Sequence, residues 1–557
     1  MRKLTFTIVT LVLALITNLS GQNQTRDLAN IDEFITDYME SVHKPGLSAC
    51  IIKGDSIIWR GNYGFANLEN SISVTKDMLF NAYSIGKSIT AASIMKLWED
   101  DLIDLDENVN NFLPFQINNP FISNDSITPR MLMTHTSSII DFNIFSYATV
   151  GDATMTLQYF LENYLSSGGT FYNPDNFSNN IPGTHYQYSN TGSALNGFLA
   201  EVILNEPFKD YVADSLLDLL QMSNTTWFLN ELNLDNLAYG YTYEYVPYPQ
   251  YGHPAYPGLT MKSSSEELAQ YVIMLMNSGN YMGNQILEET TVDTMCSPQM
   301  NLDDMGLGLK KDTVLCANED KIIWGHKGGS VNGFAAEIQF CPDENIGVVY
   351  MSNSNPYADE VLKKLFEYGA IMIIPKDATN ISESGFTANW QEAPDAVEYY
   401  LDVSYDWMFS NYIEGYENLN VALATSYNVL TNIEPGISYF YRIRAHNGVE
   451  MGPYSTAIQI LITGMDEFAE VTNIDNFQCY PIPLRNFGTV SFELKTNSKV
   501  TISLFNKIGQ SVLEIYNGDV SKGEHNITFN TSDIPSGMYF LRMKVGDEVL
   551  TKKIVKT

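Results

Sequence analysis

The segment that decides the fold of this chain runs from Tyr83 to Leu97 and reads YSIGKSITAASIMKL. Its apolar residues recur at roughly helical spacing, which predicts a buried helix that begins beside Ser84. Lys87 follows three residues later on the same helix face, so its amine can reach the Ser84 hydroxyl. Burial and the positive end of the helix dipole lower the pKa of such a lysine, and its neutral amine can then accept a proton. The segment predicts a nucleophilic serine beside a base, and the alternative is an ordinary helix-cap serine.

The S-x-x-K spacing is weak evidence when taken alone. Three other serines, Ser41, Ser73 and Ser93, also precede a lysine by three residues. Ser93 lies in the middle of the predicted helix, where no free backbone amides remain to hold an oxyanion. Only Ser84 combines the start of a helix with apolar surroundings, so we expect the chemistry there.

Length and charge limit the possible classes of protein. A chain of 557 residues predicts two to four domains. Residues 1–21 combine two basic residues, an apolar run and small polar residues, which predicts a secretory signal peptide; no later segment is long and apolar enough to span a bilayer. The formal net charge of −34 argues against nucleic acid or anionic lipid as a partner.

Cysteines and histidines predict neither a disulfide scaffold nor a metal site. The cysteines are too few and too scattered for either, namely Cys50, Cys296, Cys316, Cys341 and Cys479. A bridge from Cys316 to Cys341 is possible in an oxidising compartment, but the sequence does not decide the pairing. The histidines lack ligand spacing, so we expect no metal and no cofactor.

The order of predicted elements indicates the architecture of the core. A helix, two strands, a long and mostly helical insert, three or four strands and a closing helix follow one another. Such segregation predicts an α+β fold in which helices flank an antiparallel sheet, with an all-helical subdomain and with the first and last helices on one sheet face. The aromatic region 142–180 is expected to form either a wall or a lid of a cleft.

Two further motifs carry side chains suited to acyl chemistry. Tyr188 and Asn190 flank one residue in a loop that enters a helix, so they can point the same way. A phenol beside an ammonium can be held partly ionised and shuttle protons, while an amide can orient a substrate. The segment Gly325–Gly329 reads GHKGG and ends a predicted strand. His135 has two interpretations, a catalytic base or a structural histidine bonded to the backbone.

In chain order, these motifs resemble those of the serine β-lactamase-related superfamily of the class C type. The corresponding pairs are Ser84 with Lys87, Tyr188 with Asn190, and His326 with Gly328. The likeness covers residues 26–374 and implies a β-lactamase/transpeptidase-like fold. It also implies that Ser84 is the acylated nucleophile, Lys87 its partner and Tyr188 the proton shuttle.

The resemblance assigns the remaining site residues to substrate binding. Asn190 would position the substrate amide or ester, and His326 would bind a substrate carboxylate or relay protons. Gly328 would let the acyl group lie against the strand, since a glycine leaves the backbone bare. The backbone amides of Ser84 and Gly329 would form the oxyanion hole.

The activity implied is that of an exported serine hydrolase cleaving an ester or a D-amino-acid amide. Class C lactamases usually carry lysine at the position of His326, which favours an esterase or peptidase. The rival within catalysis is a penicillin-binding D-alanyl-D-alanine carboxypeptidase or class C-like β-lactamase. A rival of another class is a non-catalytic surface binding protein.

The C-terminal third predicts two all-β sandwich domains. Residues 376–464 show short alternating strands and a core tryptophan, Trp390, and resemble a fibronectin type III domain, which would be a spacer or a weak binding module, with carbohydrate as one candidate ligand. Residues 467–557 resemble the type A sorting domain of the type IX secretion system of Bacteroidetes. That resemblance implies passage through the periplasm and across the outer membrane by this machinery, to the cell surface or the medium.

Overall fold

A computed structural model describes most of the chain from Ile31 onward. The described residues are 31–122, 126–316, 319–393, 396–434, 436–448, 451–462, 474–480, 484, 487–506, 511–532, 534–535, 537–546 and 548–556. The predicted signal peptide, residues 1–21, lies outside them, and so does the side chain of Cys316. The described residues form two compact units, one made of residues up to 379 with 387–428 and 439–460, the other of 380–386, 429–438 and 461–557.

The first unit is built on a seven-stranded sheet whose neighbouring strands are all antiparallel. The strands lie in the order Lys310–Cys316, Glu319–Val331, Phe334–Cys341, Ile346–Ser352, Gly46–Lys53, Ser56–Asn67 and Ile72–Ser73. Every residue of the three central strands is buried. Both faces of the sheet are therefore covered there, which explains why these strands are apolar in near-continuous runs. The predicted antiparallel α+β core is confirmed.

Some helices cover this sheet, and others form the long insert between its first and later strands. The helix Ile31–Ser41 packs against Asp359–Ile371, and Ser265–Met276 packs on the central strands. The remaining helices of the unit are Gly86–Glu99, Pro129–Met133, Leu157–Leu165, Asn190–Leu204, Phe208–Val212, Tyr256–Leu259 and Glu289–Met295. Short two-stranded pairs join Phe80–Tyr83 to Met261–Ser263, Thr149–Val150 to Tyr251–Gly252, and Asn280–Tyr281 to Asn284–Gln285.

Three of these helices meet where the site is built. The serine helix (Gly86–Glu99) packs against the asparagine helix (Asn190–Leu204), and both contact the short helix Tyr256–Leu259. Nearly all of the serine helix is buried, in keeping with its apolar sequence. Packing of the three helices brings together residues that are up to 173 positions apart in the chain.

The aromatic region between residues 142 and 180 forms a packed cluster. The Tyr147 ring lies 5.3 Å from Phe160, 6.2 Å from Tyr164 and 5.0 Å from Phe171, measured between ring centroids. Phe160 and Tyr164 are fully buried. These interlocked rings are closely packed, and whether the region forms a wall or a lid of the cleft stays a prediction.

Past Ile371 the described residues form strands and no helix. Two small sheets have the strand orders Pro375–Ser382, Gly385–Trp390, Ser426–Val429 and Leu419–Asn420, Glu398–Ser404, Ser438–His446, Ile458–Leu461. Trp390 is buried with its ring 6.1 Å from that of Tyr399, as a sandwich core requires. The second unit adds the strand orders Ile474–Tyr480, Phe487–Leu494, Gly523–Asn530 and Ser511–Val520, Ser498–Asn506, Gly537–Val545, Glu548–Lys556. Among the described residues, no helix is both long and apolar enough to cross a bilayer.

The sequence left the pairing of the cysteines open. Cys341 is buried and carries a free thiol, and the side chain of Cys316 lies outside the described residues. Cys50, Cys296 and Cys479 are free thiols as well. Burial raises the pKa of the Cys50 thiol to about 12, which makes it a packing residue and not a nucleophile.

Candidate active site

Ser84 stands at a sharp turn between a strand and a helix. The strand Phe80–Tyr83 ends in Tyr83, whose φ of 45° is left-handed, and the serine helix begins at Gly86. This turn leaves Ser84 partly exposed on the wall of a cavity of about 400 Å³. The predicted helix start beside Ser84 is therefore observed, and the hydroxyl faces a space that can hold a small substrate.

Lys87 is buried, with 2% of its surface exposed, and its amine contacts three oxygens. Nζ lies 2.8 Å from Ser84 Oγ and 2.7 Å from Asn190 Oδ1, and it also donates to the Gly258 carbonyl. Desolvation lowers the pKa of Lys87 to about 7, while the nearby Asp141 carboxylate opposes this shift. The neutral amine has two N–H groups for the two oxygens that can only accept, and its lone pair then faces the Ser84 hydroxyl. The geometry fits a base that takes the proton of Ser84.

The Tyr188 hydroxyl completes the surroundings of the nucleophile. It is hydrogen-bonded to Ser84, and its ring centroid lies 4.9 Å from Lys87 Nζ. Although 38% of the tyrosine surface is exposed, desolvation raises the pKa of Tyr188 well above its usual value, and the bond to Ser84 offsets only part of this. Because desolvation is the largest contribution, the surroundings favour a neutral phenol that can donate a proton over the partly ionised phenol that the sequence suggested.

Asn190 is held by the protein at both ends of its amide. Its Oδ1 faces the Lys87 amine, and its Nδ2 donates to Asp141 Oδ2 at 2.8 Å. One N–H of the amide remains for a substrate. Sequence reasoning missed Asp141, since it lies 49 positions before Asn190 and no local spacing connects the two. The only available signal was its place four residues after the T-H-T-S segment 134–137.

His326 lies on the histidine strand (Glu319–Val331) and lines the cavity. Its Nδ1 is 2.8 Å from the Lys327 carbonyl, which can only accept, so Nδ1 carries the proton and Nε2 keeps its lone pair. Desolvation and the nearby Lys87 lower the pKa of His326 to about 3. A neutral imidazole offers no positive charge to a substrate carboxylate, so this arrangement favours the proton relay of the two expected roles.

Two adjacent glycines, Gly328 and Gly329, lie near the end of the histidine strand and have different surroundings. Gly329 lines the cavity with Ser84, and its φ of 106° is a conformation that favours glycine. Gly328 is buried, and a Cβ there would lie 2.0 Å from the Ala82 carbonyl. Its observed role is therefore close approach of the strand to the segment preceding Ser84.

Comparison with known proteins identifies the family. The family described as Beta-lactamase matches residues 31–368, which is more than half of the chain. The chain belongs to the beta-lactamase family. A second match, to the Secretion system C-terminal sorting domain, covers residues 478–557. This sorting domain of the type IX secretion system indicates export to the cell surface or into the medium.

Individual relatives of this beta-lactamase-family protein are distant. Protein flp of Staphylococcus aureus (strain MW2) is 24% identical over 344 residues, which cover 61% of this chain and 65% of that protein. A Beta-lactamase of Providencia stuartii is 25% identical over 354 residues, covering 58% of this chain and 86% of that protein. The solved structure of a class C beta-lactamase has a TM-score of 0.48 at 20% identity, over 62% of this chain and 97% of that one.

His135 of this beta-lactamase-family protein is structural in its contacts. It is buried, its Nδ1 accepts from the Ser189 N–H at 3.2 Å, and its ring lies 4.3 Å from that of Tyr188. Desolvation, together with Lys87 and His326, holds the pKa of His135 well below its usual value. His135 packs against the ring of Tyr188, and its contacts favour the interpretation of a structural histidine bonded to the backbone.

Within the part of the chain that the structure describes, no group of three or more His, Cys, Asp and Glu side chains is placed to hold a metal ion. What the site offers is a hydroxyl with an adjacent amine, a neutral phenol, a neutral imidazole and a glycine-rich strand end. These groups together can perform nucleophilic acyl transfer.

We predict that Gly328→Ala destabilises the first unit and impairs the site. The added methyl group would meet the Ala82 carbonyl at 2.0 Å, so strand or turn must shift, at a cost of about 1–3 kcal/mol. Gly168→Ala is the control, since nothing lies within 4 Å of a Cβ there. Thermal unfolding should show a lower melting temperature for the first variant only. Equal melting temperatures would contradict the close approach.

Proposed function

We propose that this protein is an exported serine hydrolase that forms an acyl-enzyme on Ser84 and cleaves an ester or a D-amino-acid amide. The observation that carries the proposal is the set of contacts of Lys87. A buried amine with a pKa of about 7, 2.8 Å from a cavity-facing hydroxyl, is suited to activate that hydroxyl. Every position that the family resemblance assigns to chemistry carries a competent side chain.

Acylation begins with transfer of the Ser84 proton to the neutral Lys87 amine. Ser84 Oγ attacks the substrate carbonyl carbon, a C–O bond forms, and the carbonyl electrons move to oxygen. The backbone amides of Ser84 and Gly329 receive this oxyanion, and donors of this kind contribute about 3 kcal/mol each to transition-state stabilisation. Collapse of the intermediate breaks the bond to the leaving group.

The leaving group needs a proton at that moment, and Tyr188 is placed to supply it. The phenol is neutral, bonded to Ser84 and close to the Lys87 ammonium, which can return the proton to the phenolate. Water then attacks the acyl-enzyme as the same groups act in reverse. The unprotonated Nε2 of His326 offers a further acceptor for the proton of that water.

Charges around the cavity bear on the choice of substrate. Lys327 pairs with Glu337 at 3.2 Å and with Asp359 at 2.8 Å, and Lys310 lies 3.4 Å from Asp304. Both lysines that line the cavity thus have carboxylate partners, and the pKa of His326 is lowered to about 3. These observations favour a substrate without an essential carboxylate, such as an ester or an amide.

A second candidate is a D-alanyl-D-alanine carboxypeptidase or a class C-like β-lactamase. The match that covers 86% of the Beta-lactamase of Providencia stuartii favours it. The third candidate, a non-catalytic binding protein, requires Ser84 to be dispensable for every activity. Reaction with small acyl donors separates the three.

The deciding experiment is intact-mass spectrometry of the full chain after brief exposure to a short-chain aryl ester and, separately, to benzylpenicillin. Rapid ester turnover without a penicilloyl adduct supports the proposal. A persistent penicilloyl adduct favours a peptidase, and fast penicillin hydrolysis favours a β-lactamase. D-amino-acid p-nitroanilides test the amide substrates, and no reaction with any reagent would overturn a catalytic role.

A plot of kcat/KM against pH should show a single rising limb, which reports deprotonation of Lys87. The base form is the neutral amine, so the rate should rise with pH through about 7 and level off above it. His326, with a pKa near 3, and Tyr188, with a raised pKa, should add no limb between pH 5 and about 9. Initial rates with an aryl ester in buffers of constant ionic strength provide the measurement. A rate that falls between pH 6 and 8 would contradict this assignment.

The remaining domains serve export and display in this proposal. Residues 1–21 act as the signal peptide, residues 26–374 as the hydrolase, and residues 467–557 as the sorting domain that the type IX machinery recognises. The fibronectin-like region 376–464 acts as a spacer or weak binding module between them.

A further inference from the structure

Asp141 reaches the start of the asparagine helix from the loop that follows the helix Pro129–Met133. Its Oδ2 accepts from the backbone N–H of Asn190 at 2.6 Å and from Asn190 Nδ2 at 2.8 Å. Its Oδ1 accepts from the N–H and the hydroxyl of Thr191, both at 2.9 Å. One oxygen thus holds Asn190, whereas the other holds Thr191 and also accepts from the Ser189 hydroxyl at 3.4 Å.

This division decides which way the Asn190 amide points. A carboxylate can only accept, so the amide must turn its NH₂ toward Asp141 and its oxygen the other way. That oxygen lies 2.7 Å from Lys87 Nζ. A reversed amide would present N–H groups to the lysine and leave the carboxylate facing an oxygen. Asn190 is 6% exposed and Thr191 is fully buried, so water cannot readily replace the lost bonds.

We propose that Asp141 is a positioning residue for the lysine base, acting through the Asn190 amide. By fixing the amide oxygen it holds the Lys87 amine beside Ser84 and aims the lone pair at the hydroxyl. This inference rests on the proposed function, because it concerns the same nucleophile and base.

The charge of Asp141 also affects the pKa of Lys87, and this effect can be measured. The carboxylate stabilises the Lys87 ammonium and so raises the pKa of Lys87 against the larger lowering by burial. The other titratable groups that face Lys87 are His135, His326 and Tyr188, all uncharged near neutral pH. Loss of the carboxylate should therefore lower the pKa of Lys87 and move the acid limb of the rate profile to lower pH.

The test compares Asp141→Asn with Thr191→Val in the full chain, using an aryl ester. Asp141→Asn keeps the size of the side chain but replaces one acceptor by an NH₂ group that faces other donors. We expect kcat to fall about 10- to 100-fold with KM within about twofold, as a displaced catalytic group predicts, and the acid limb to move to lower pH. Thr191→Val removes one bond to the same carboxylate but leaves Asn190 held. This variant should keep the wild-type kcat and the wild-type position of the acid limb, while its melting temperature should fall slightly.

A double-mutant cycle shows whether Asp141 acts through Asn190. In an Asn190→Ala background, Asp141→Asn should lower kcat little further, since the amide it orients is gone. Should Asp141→Asn not fold, Asp141→Ser keeps an oxygen near the helix start but is too short to hold Asn190 Nδ2. The same kinetic losses are expected of it.

Three results would overturn the inference. Asp141→Asn could keep the wild-type kcat, or its loss of kcat could add fully to that of Asn190→Ala. The third is that Asp141→Asn lowers the melting temperature but leaves the acid limb of the rate profile at the wild-type pH. Its failure differs from failure of the proposed function. A positioning role is wrong if Asp141→Asn is active while Ser84→Ala is inactive, whereas the function itself is wrong if Ser84→Ala stays active.

Discussion

Ser84→Ala should abolish turnover of an aryl ester and every acyl adduct on the protein. The hydroxyl is the atom that faces both the cavity and the Lys87 amine, so its removal leaves the site without a nucleophile. We expect kcat to fall by about 10⁴-fold or more, since loss of a nucleophile removes most of the catalytic power of such sites. Steady-state kinetics and intact-mass spectrometry measure the two losses.

Ser93→Ala is the matched control on the same helix. Ser93 also precedes a lysine by three residues, but it is buried in mid-helix, where its hydroxyl donates to the Ile89 carbonyl at 2.9 Å. We expect wild-type turnover and an unchanged adduct. An adduct that survived in Ser84→Ala would show that another residue is the nucleophile, and activity lost equally in both variants would indicate damage to the helix.

Lys87→Met should lower kcat by about 10³-fold, the contribution expected of a positioned general base. Methionine fills the space of the lysine stem but has no lone pair of comparable basicity and no N–H. Asn190 Oδ1 and the Gly258 carbonyl would each lose a donor, which costs about 1–3 kcal/mol. Removal of the desolvated amine offsets this cost, so the unfolding free energy should change little while kcat falls. Rates measured up to pH 9 should no longer rise through pH 7.

Lys96→Met controls for the charge and length of the side chain. Lys96 lies on the same helix, is partly exposed and pairs with Glu99 at 2.9 Å. Surface pairs of this kind contribute about 0–1 kcal/mol, so stability should change little and kcat should not change. A Lys87→Met variant that kept more than about a tenth of the wild-type kcat would contradict the base role of this lysine.

Much of the predicted site followed from the spacing of residues that are close together in the sequence. Ser84 and Lys87 lie three residues apart where a helix was predicted to begin, a spacing that brings their side chains to the same side of the chain. Tyr188 and Asn190 are likewise neighbours in sequence. The antiparallel core followed from the order of strands and helices, because hairpin strands need only short connections whereas the helical insert is long.

Long-range contacts were beyond the reach of the sequence. The Gly258 carbonyl that receives a hydrogen bond from Lys87 lies 171 positions away, and Asp141 is brought to Asn190 by packing of a loop on a helix start. Neither residue belongs to a local motif. Gly328 was expected to serve the substrate, yet its closest constraint is the Ala82 carbonyl of another segment.

The sequence by itself determined the type of fold and the sorting domain, and it supplied the nucleophile and base that we propose, since all of these depend on residue types at short spacing. Only the tertiary structure shows the burial of Tyr188 and His326 that bears on their charge states. Desolvation raises the pKa of the phenol and lowers that of the imidazole, which favours a neutral phenol as proton donor over the phenolate suggested by the sequence. The physical reason is that a pKa depends on the water and charges removed from or brought to a group, and packing of distant segments sets both.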